Sequence, residues 1–433
     1  MKKTATLFNT IRSNKVISSS LVLVIGGFLG SLTNYFYHLS MARFLGPKDY
    51  GILESLISVV YQLSIPLTTI SIVITKYVSG FKGQNRTKTI ESFFWKVNKK
   101  ILLCLPLIFI FIFISAPVIS SFLHFPSPVL VILVGMSFVL SIFVTLGRSF
   151  LQGLSKFLLV SVAGFSDGLI RLLAALLLVF LGLGLFGAVF SFFIASILSV
   201  SITLYLVRNL MKGNRYEPIP EKKEMFRFIF PVFFTNLAIT SLITSDIILV
   251  RHFFPPFEAG LYSALSTLGK MIFFAASPVT TVILPMVSEA QAANENFKRI
   301  AASGLALIGL IIAGSVVVLG FFPKIMVMVL FGEKYLAMVP LVINFSVAIA
   351  IFTINVALLN IFLALKITLP TIFVSLTALL QIIMIILFHQ SLGIIINIFI
   401  VLSSLLLLSL LLYYALSSSL IKLKIGRQNS SSA

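Results

Sequence analysis

Twelve long apolar runs separated by short polar breaks organise the chain. They fall near 16–42, 50–80, 101–123, 128–153, 157–182, 185–208, 228–253, 258–287, 300–322, 337–364, 367–388 and 391–416. At about 1.5 Å of rise per residue most can cross a hydrocarbon core of about 30 Å, so the pattern predicts twelve transmembrane helices. A transmembrane β-barrel is excluded, because its strands alternate in segments of about ten residues. The second and eighth runs are longer than a bilayer requires. Tilting, kinking or projection is expected there, with Pro66, Pro278 and Pro285 placed to supply kinks. The first run follows the basic stretch MKKTATLFNTIRSNK, exceeds a signal-peptide core in length and lacks a small-x-small cleavage site. An uncleaved first span is expected.

Composition sharpens the class. Of 433 residues, 59% are hydrophobic and 10% charged, against about 25% charged in soluble domains. One water-soluble core cannot use that much apolar surface, so the fold class expected is an all-α polytopic membrane protein. The longest central polar stretch, NLMKGNRYEPIPEKKEMFR at 209–227, divides the runs six and six. The expected organisation is an N-terminal six-helix lobe over 1–210, a cytoplasmic linker over 211–227 and a C-terminal six-helix lobe over 228–433, ending in a short cytoplasmic tail. No GxxxxGK[ST] occurs and no loop exceeds about 20 residues, which leaves no nucleotide-binding or soluble catalytic domain. The single Cys104 excludes an intramolecular disulfide, and His38, His124, His252 and His389 are scattered singly. No catalytic residue, metal or cofactor is expected.

The formal charge of +20 is unevenly placed. With the N-terminus inside, inner segments hold 25 of the 32 lysines and arginines and outer loops hold 5; Arg171 and Lys270 lie within spans. This bias predicts a multi-pass cell-membrane protein with both termini cytoplasmic, and accounts for the charge without nucleic acid. The basic segment 85–100, which holds the single tryptophan Trp95, is expected to lie along the inner interface.

The two halves echo each other. A shift of 209 places Pro47 on Pro256, Asp49 on Glu258, Gly51 on Gly260 and Leu56 on Leu265; a shift of 210 places Lys156 on Lys366 and Arg171 on Gln381. Six spans per repeat means that corresponding helices run the same way, so the lobes would be related by a parallel pseudo-two-fold axis along the membrane normal. Such an architecture suits a transporter, and one chain supplies both lobes, so a monomer suffices.

These residues also carry a resemblance. SMARFLGPKDYGIL at 40–53 and SDIILVRHFFPPFEAGLYSALSTLGK at 245–270 resemble matching segments of the polysaccharide transporter (O-antigen flippase-like) family. That family belongs to the multidrug/oligosaccharidyl-lipid/polysaccharide exporter superfamily. The resemblance implies alternating access that moves a polyprenyl-pyrophosphate-linked oligosaccharide to the outer leaflet for surface polysaccharide assembly. Other readings on the same architecture are a multidrug–cation antiporter and a lipid II-type flippase. The latter usually has two more C-terminal spans, which speaks against it here. A membrane-embedded polymerase would usually present a large outer loop, which this chain lacks.

A charge at bilayer depth costs about 2.5–3.5 kcal/mol and calls for a partner or a wet cavity. Lys270 falls near the middle of span eight, with no acidic residue within one turn; it would attract the pyrophosphate or pair with Asp246. Asp246, in span seven, would bind a coupling proton or sodium ion, or neutralise Lys270 or Arg251. Glu54 in span two is another coupling candidate, lying near enough to the outer surface to be simply solvated. Asp167 and Arg171, four apart in span five, share a face and can pair, yet arginine also suits bidentate phosphate contact. Arg148, with Lys156, lies by the inner mouth and either sets topology or receives the lipid pyrophosphate. Arg43 resembles the family's AR-x-LGP arginine, with a structural or substrate role. Gly26, Gly27 and Gly30 form a small face for close helix packing.

Overall fold

The computed structural model describes residues 15–211, 222–292, 296–365, 367 and 369–430. Helices dominate: α1 (Lys15–Leu63), α2 (Ile65–Gly83), α3 (Thr87–Phe122), α4 (Pro128–Gly153), α5 (Phe157–Leu178), α6 (Gly184–Met211), α7 (Lys222–Phe253), α8 (Pro256–Ala292), α9 (Phe297–Phe321), α10 (Pro323–Leu330), α11 (Val342–Ala364), α12 (Pro370–Leu387) and α13 (Leu392–Ser430). No strand occurs among the described residues.

Among those residues nine helical stretches are long and apolar enough to cross a membrane, ten with the bent pair α1–α2. Two of the ten are interrupted. Within α1, Gly46 adopts φ 76° and ψ 174°, outside helical space, and Pro47 follows it. Between α5 and α6, Gly182 and Gly184 take φ 87° and 49°. Glycine tolerates positive φ because it lacks a Cβ. Counting either side of these breaks separately gives the twelve expected spans.

The over-long second span bends by 46° between Leu63 and Ile65, just before Pro66. Proline blocks the hydrogen bond that would continue the ladder. By contrast α8 runs through Pro278 and Pro285 as one helix of 37 residues. Residues 87–100 of the basic segment form the start of α3. That helix has 36 residues, and Ile90, Phe93 and Phe94 pack into a cluster with Phe81, Leu146 and Phe150. At ~54 Å, α3 outruns a hydrocarbon core of about 30 Å.

Three tight turns share one device. Asn85, His124 and Ser155 adopt positive φ at the ends of α2, α3 and α4. In each turn the next residue's N–H reaches back five residues: Arg86 to Phe81, Phe125 to Ser120 and Lys156 to Leu151, all at 2.9 Å. This pattern satisfies carbonyls that a helix end leaves unpaired. At the start of α4, the Ser127 side chain accepts the Val129 N–H, with Pro128 in the first turn.

Packing divides the chain into two units. The first takes residues to 236 together with 250–264 and 329–335; the second takes 237–249, 265–328 and 336 onward. In the first, α1 lies against α5 through small residues. A Cβ on Gly26 would strike Ser161, Gly30 faces the Gly164 backbone, and one on Gly168 would strike Thr33; Gly27 meets nothing within 4 Å. The counterparts Gly51 and Gly260 also meet there. A Cβ on Gly51 would lie 2.9 Å from Gly260 Cα, and one on Gly260 would strike the Pro47 carbonyl. Beside this joint, the buried Tyr335 hydroxyl donates to the Ala42 carbonyl at 2.8 Å.

In the second unit Phe345 and Phe352 each pack against Phe399 with tilted rings, and Gly269 admits Phe345. Asn355 donates to the Ser403 carbonyl at 2.8 Å. Gln381, the counterpart of Arg171, is fully buried and donates to the Leu242 carbonyl at 3.2 Å. Large apolar side chains such as Leu107, Phe180, Leu310 and Phe321 are exposed, while serines and threonines occupy the interior. The interior also holds a large apolar core, and the exposed apolar side chains suit a lipid surrounding.

Candidate functional site

The first unit gathers charge at two neighbouring places. Helices α4 and α5 run back from the Ser155 turn, which brings Arg148 beside Asp167. An Arg171 nitrogen lies 3.1 Å from Asp167 Oδ2, and Arg148 reaches the same oxygen at 4.0 Å. Ser199 on α6 donates to Asp167 Oδ1 at 2.7 Å. Arg148 also donates to the Ala163 carbonyl at 2.6 Å. Two guanidiniums therefore share one half-buried carboxylate. The Arg171 guanidinium lies 4.9 Å from the Phe192 ring centre and 5.9 Å from that of Tyr37. Those aromatic faces stabilise a cation and fix the planar fork that binds oxyanions in pairs.

The second place straddles the break in α1. His38 stands eight residues before Gly46 and Glu54 eight after it. Their side chains meet, His38 Nδ1 to Glu54 Oε2, at 3.0 Å. The Tyr50 hydroxyl lies 3.3 Å from the same nitrogen. Glu54 is 3% exposed and His38 7%. The expectation of a solvated Glu54 is thereby corrected: the break folds the second arm of α1 back, and the carboxylate is enclosed. Tyr37 joins the two places. Its ring packs edge-on to His38 and to Phe192, and its hydroxyl donates to the Ala188 carbonyl at 3.1 Å.

The remaining candidates are dispersed. Arg43 is exposed beside the Gly332 turn, where φ is 95°. In the second unit Lys270 is 8% exposed and Asp246 1%. Ser266, one turn before Lys270, is wholly buried, and its hydroxyl has no hydrogen-bond partner among the described residues. Arg251 is held at the end of α3. It donates to the Leu123 and His124 carbonyls at 2.9 and 3.0 Å, and His252 Nδ1 lies 2.6 Å from the Phe122 carbonyl. The Arg251 cation at the carbonyl end of α3 complements its dipole. Lys366 lies outside the described residues. Sequence reasoning missed His38, Tyr50 and Ser199. The cue for His38 was a histidine inside an apolar run and one break away from a glutamate.

The architecture is shared with solved membrane transporters. An inward-facing multidrug-resistance MATE transporter of the MOP superfamily superposes with a TM-score of 0.74 at 12% identity, over 96% of this chain and 100% of the other. The lipid II flippase MurJ, in an inward closed conformation, gives 0.72 at 17% identity, over 94% and 90%. A MOP superfamily transporter from Pyrococcus furiosus, described as having a binding pocket of reverse polarity, gives 0.66 at 13%, over 93% and 96%. At the level of sequence, an uncharacterised membrane protein of Methanocaldococcus jannaschii is 25% identical over 274 residues. That match covers 59% of this chain and spans 63% of the length of that relative. These likenesses define the fold as a polytopic helical one shared with those proteins. Residues 40–340 match the family described as polysaccharide biosynthesis protein, and the chain belongs to that family.

Proposed function

We propose that this transporter is a flippase for a polyprenyl-pyrophosphate-linked oligosaccharide, moving it from the cytoplasmic to the outer leaflet by alternating access between the lobes at 1–210 and 228–433. The observation that carries the reading is the pair Arg148 and Arg171 on the one carboxylate of Asp167. A pyrophosphate can take over one guanidinium as a charge-assisted, bidentate partner while the other keeps Asp167. Lys270, buried within the second unit, is a separate candidate contact for the cargo, and exposed Arg43 a candidate contact at the outer end. Sugar and pyrophosphate would enter the protein while the polyprenyl tail stays in lipid. Both termini lie on the cytoplasmic side in this reading, one chain suffices, and Asp246 or Glu54 are candidate sites for the coupling ion. Family membership and the likeness to a lipid II flippase support a lipid-linked cargo; two clustered guanidiniums are poor company for the cationic drugs of an antiporter.

The test uses proteoliposomes and a fluorescent short-chain polyprenyl-pyrophosphate disaccharide, with flipping read by quenching from outside. The native chain should flip it. Arg148→Gln and Arg171→Gln together should slow flipping at least tenfold, and a monophosphate analogue should be a poorer cargo. Equal flipping of both lipids by the native chain and the double variant would overturn the proposal.

A further inference from the structure

We infer that His124 and His252 form a two-histidine site for a first-row divalent transition metal, with zinc as its probe. Widely separated in sequence, the two residues meet where the α3–α4 turn lies against the end of α7, within the first unit. Their ring centres are 5.6 Å apart and their planes are inclined by 22°. A metal about 2.0–2.1 Å from one nitrogen of each ring would stand about 3.2 Å from each ring centre. Rings up to about 6.4 Å apart can therefore share it, and tetrahedral bonding asks for about 5.2 Å. The observed spacing lies inside that limit and close to the tetrahedral value.

Each ring is prepared by its own surroundings. His252 Nδ1 lies 2.6 Å from the Phe122 carbonyl. A carbonyl can only accept, so Nδ1 carries the hydrogen and Nε2 keeps its lone pair. One ring nitrogen donating to a backbone carbonyl, with the other left free, is the arrangement of a metal-ligating histidine. The same ring stacks on Phe122, with centres 4.0 Å apart and planes within 8°, which fixes its orientation. His124 is held by the backbone. Its φ is 52°, its N–H donates to the Ser121 carbonyl at 3.3 Å, and the N–H of Phe125 reaches Ser120 at 2.9 Å. Asn85 and Ser155 take the equivalent place in the other two turns, so the turn itself does not require an imidazole. The His124 side chain is exposed, and no hydrogen bond among the described residues engages its ring.

The neighbours set the strength of the site. No group of three His, Cys, Asp or Glu able to hold a metal occurs among the described residues, so water takes the remaining coordination positions. The Arg251 guanidinium, bound to the Leu123 and His124 carbonyls, opposes a second cation close by. Half the ligands of a structural zinc site, beside a like charge, point to a dissociation constant of roughly 1–100 µM. Copper(II) should bind more tightly than zinc. A bound metal ties the α3–α4 turn to the end of α7, and this tie does not depend on the flippase reading.

The test uses the full chain, purified in detergent without a histidine tag, stripped with a chelator and titrated with zinc chloride by calorimetry. One zinc per chain should bind in the stated range. His124→Asn keeps a residue suited to positive φ and should weaken binding at least tenfold, whereas His389→Gln, beyond the end of α12, should change it by less than about twofold. Zinc should also slow protease cleavage at 123–127 in the native chain and have no such effect in His124→Asn. Copper(II) bound to the native chain reads the ligands directly, and its electron spin resonance should show two imidazole nitrogens. A native chain that takes up no zinc by about 1 mM, a His124→Asn chain that binds as the native does, or a copper spectrum with fewer than two imidazole nitrogens would overturn the inference.

Discussion

Gly260→Ala isolates the joint between the two motif copies. Gly51 and Gly260 lie in helices at ordinary φ, so any penalty is one of space. The added carbon of Gly260→Ala would strike the backbone of Pro47, and that of Gly51→Ala would lie 2.9 Å from Gly260 Cα, where ordinary contact begins at 3.4 Å. Both obstacles are backbone and cannot rotate away, so the arms must part by several tenths of an ångström. Overpacking of this kind costs about 1–3 kcal/mol, and the helix-forming advantage of alanine returns about 0.5–1. Gly27→Ala provides the control: its carbon meets nothing within 4 Å, leaving a gain of about 0.5–1 kcal/mol. The helix-forming gain is common to both, so the two variants should differ by roughly 1–3 kcal/mol, with Gly260→Ala the weaker. Thermal unfolding in detergent, followed by size-exclusion chromatography of heated samples, orders native, Gly27→Ala and Gly260→Ala. If Gly260→Ala melts with or above Gly27→Ala, the argument for a closely packed joint is wrong.

Other substitutions probe the charged cluster and the caps. Asp167→Asn leaves Arg171 and Arg148 facing an amide and should cost about 1.5–3 kcal/mol in the same assay, with Asp167→Asn/Arg171→Gln recovering part of it. Arg251→Gln strips two charge-assisted bonds from the carbonyl end of α3 and should cost about 2–3 kcal/mol, visible as faster protease cleavage near 123–127. Tyr335→Phe removes one buried hydroxyl bond to Ala42; a loss of about 0.5–1.5 kcal/mol is expected, and native stability would show that the bond contributes nothing net.

Much of the architecture was legible because lipid imposes a coarse rule: each span must be long, apolar and helical. The Gly46 break was less so, since LGP reads as a turn without revealing which side chains the turn brings together. Asp167 and Arg171 were readable as a pair because helical periodicity alone places them on one face. Arg148 joined them only through the α4–α5 hairpin, nineteen residues away from Asp167, a distance no periodicity covers. The enclosure of Glu54 was not legible because depth was taken from its position along the span, whereas its surroundings come from the other arm of α1. Arg251 was weighed against carboxylates alone, and the carbonyls at the end of α3 that it also binds were not foreseen. Helix carbonyl ends carry partial negative charge invisibly in any inventory of acidic residues.

The contact of Gly51 with Gly260 has a consequence for how such a chain can arise. A residue that touches its own counterpart belongs to an isologous interface, in which one patch serves both sides. Each motif copy thus carries the complement of its twin, and a half-length chain bearing one copy would offer this joint to a second identical chain. Fusion turns that meeting from a concentration-dependent encounter into an intramolecular one, at an effective concentration in the millimolar range for a short linker. It also frees the copies to diverge: Arg171 in one half faces the cluster at Asp167, while its counterpart Gln381 holds a backbone carbonyl. A single chain with two motif copies can keep the joint and let the interiors differ, which a symmetric pair of identical chains could not do.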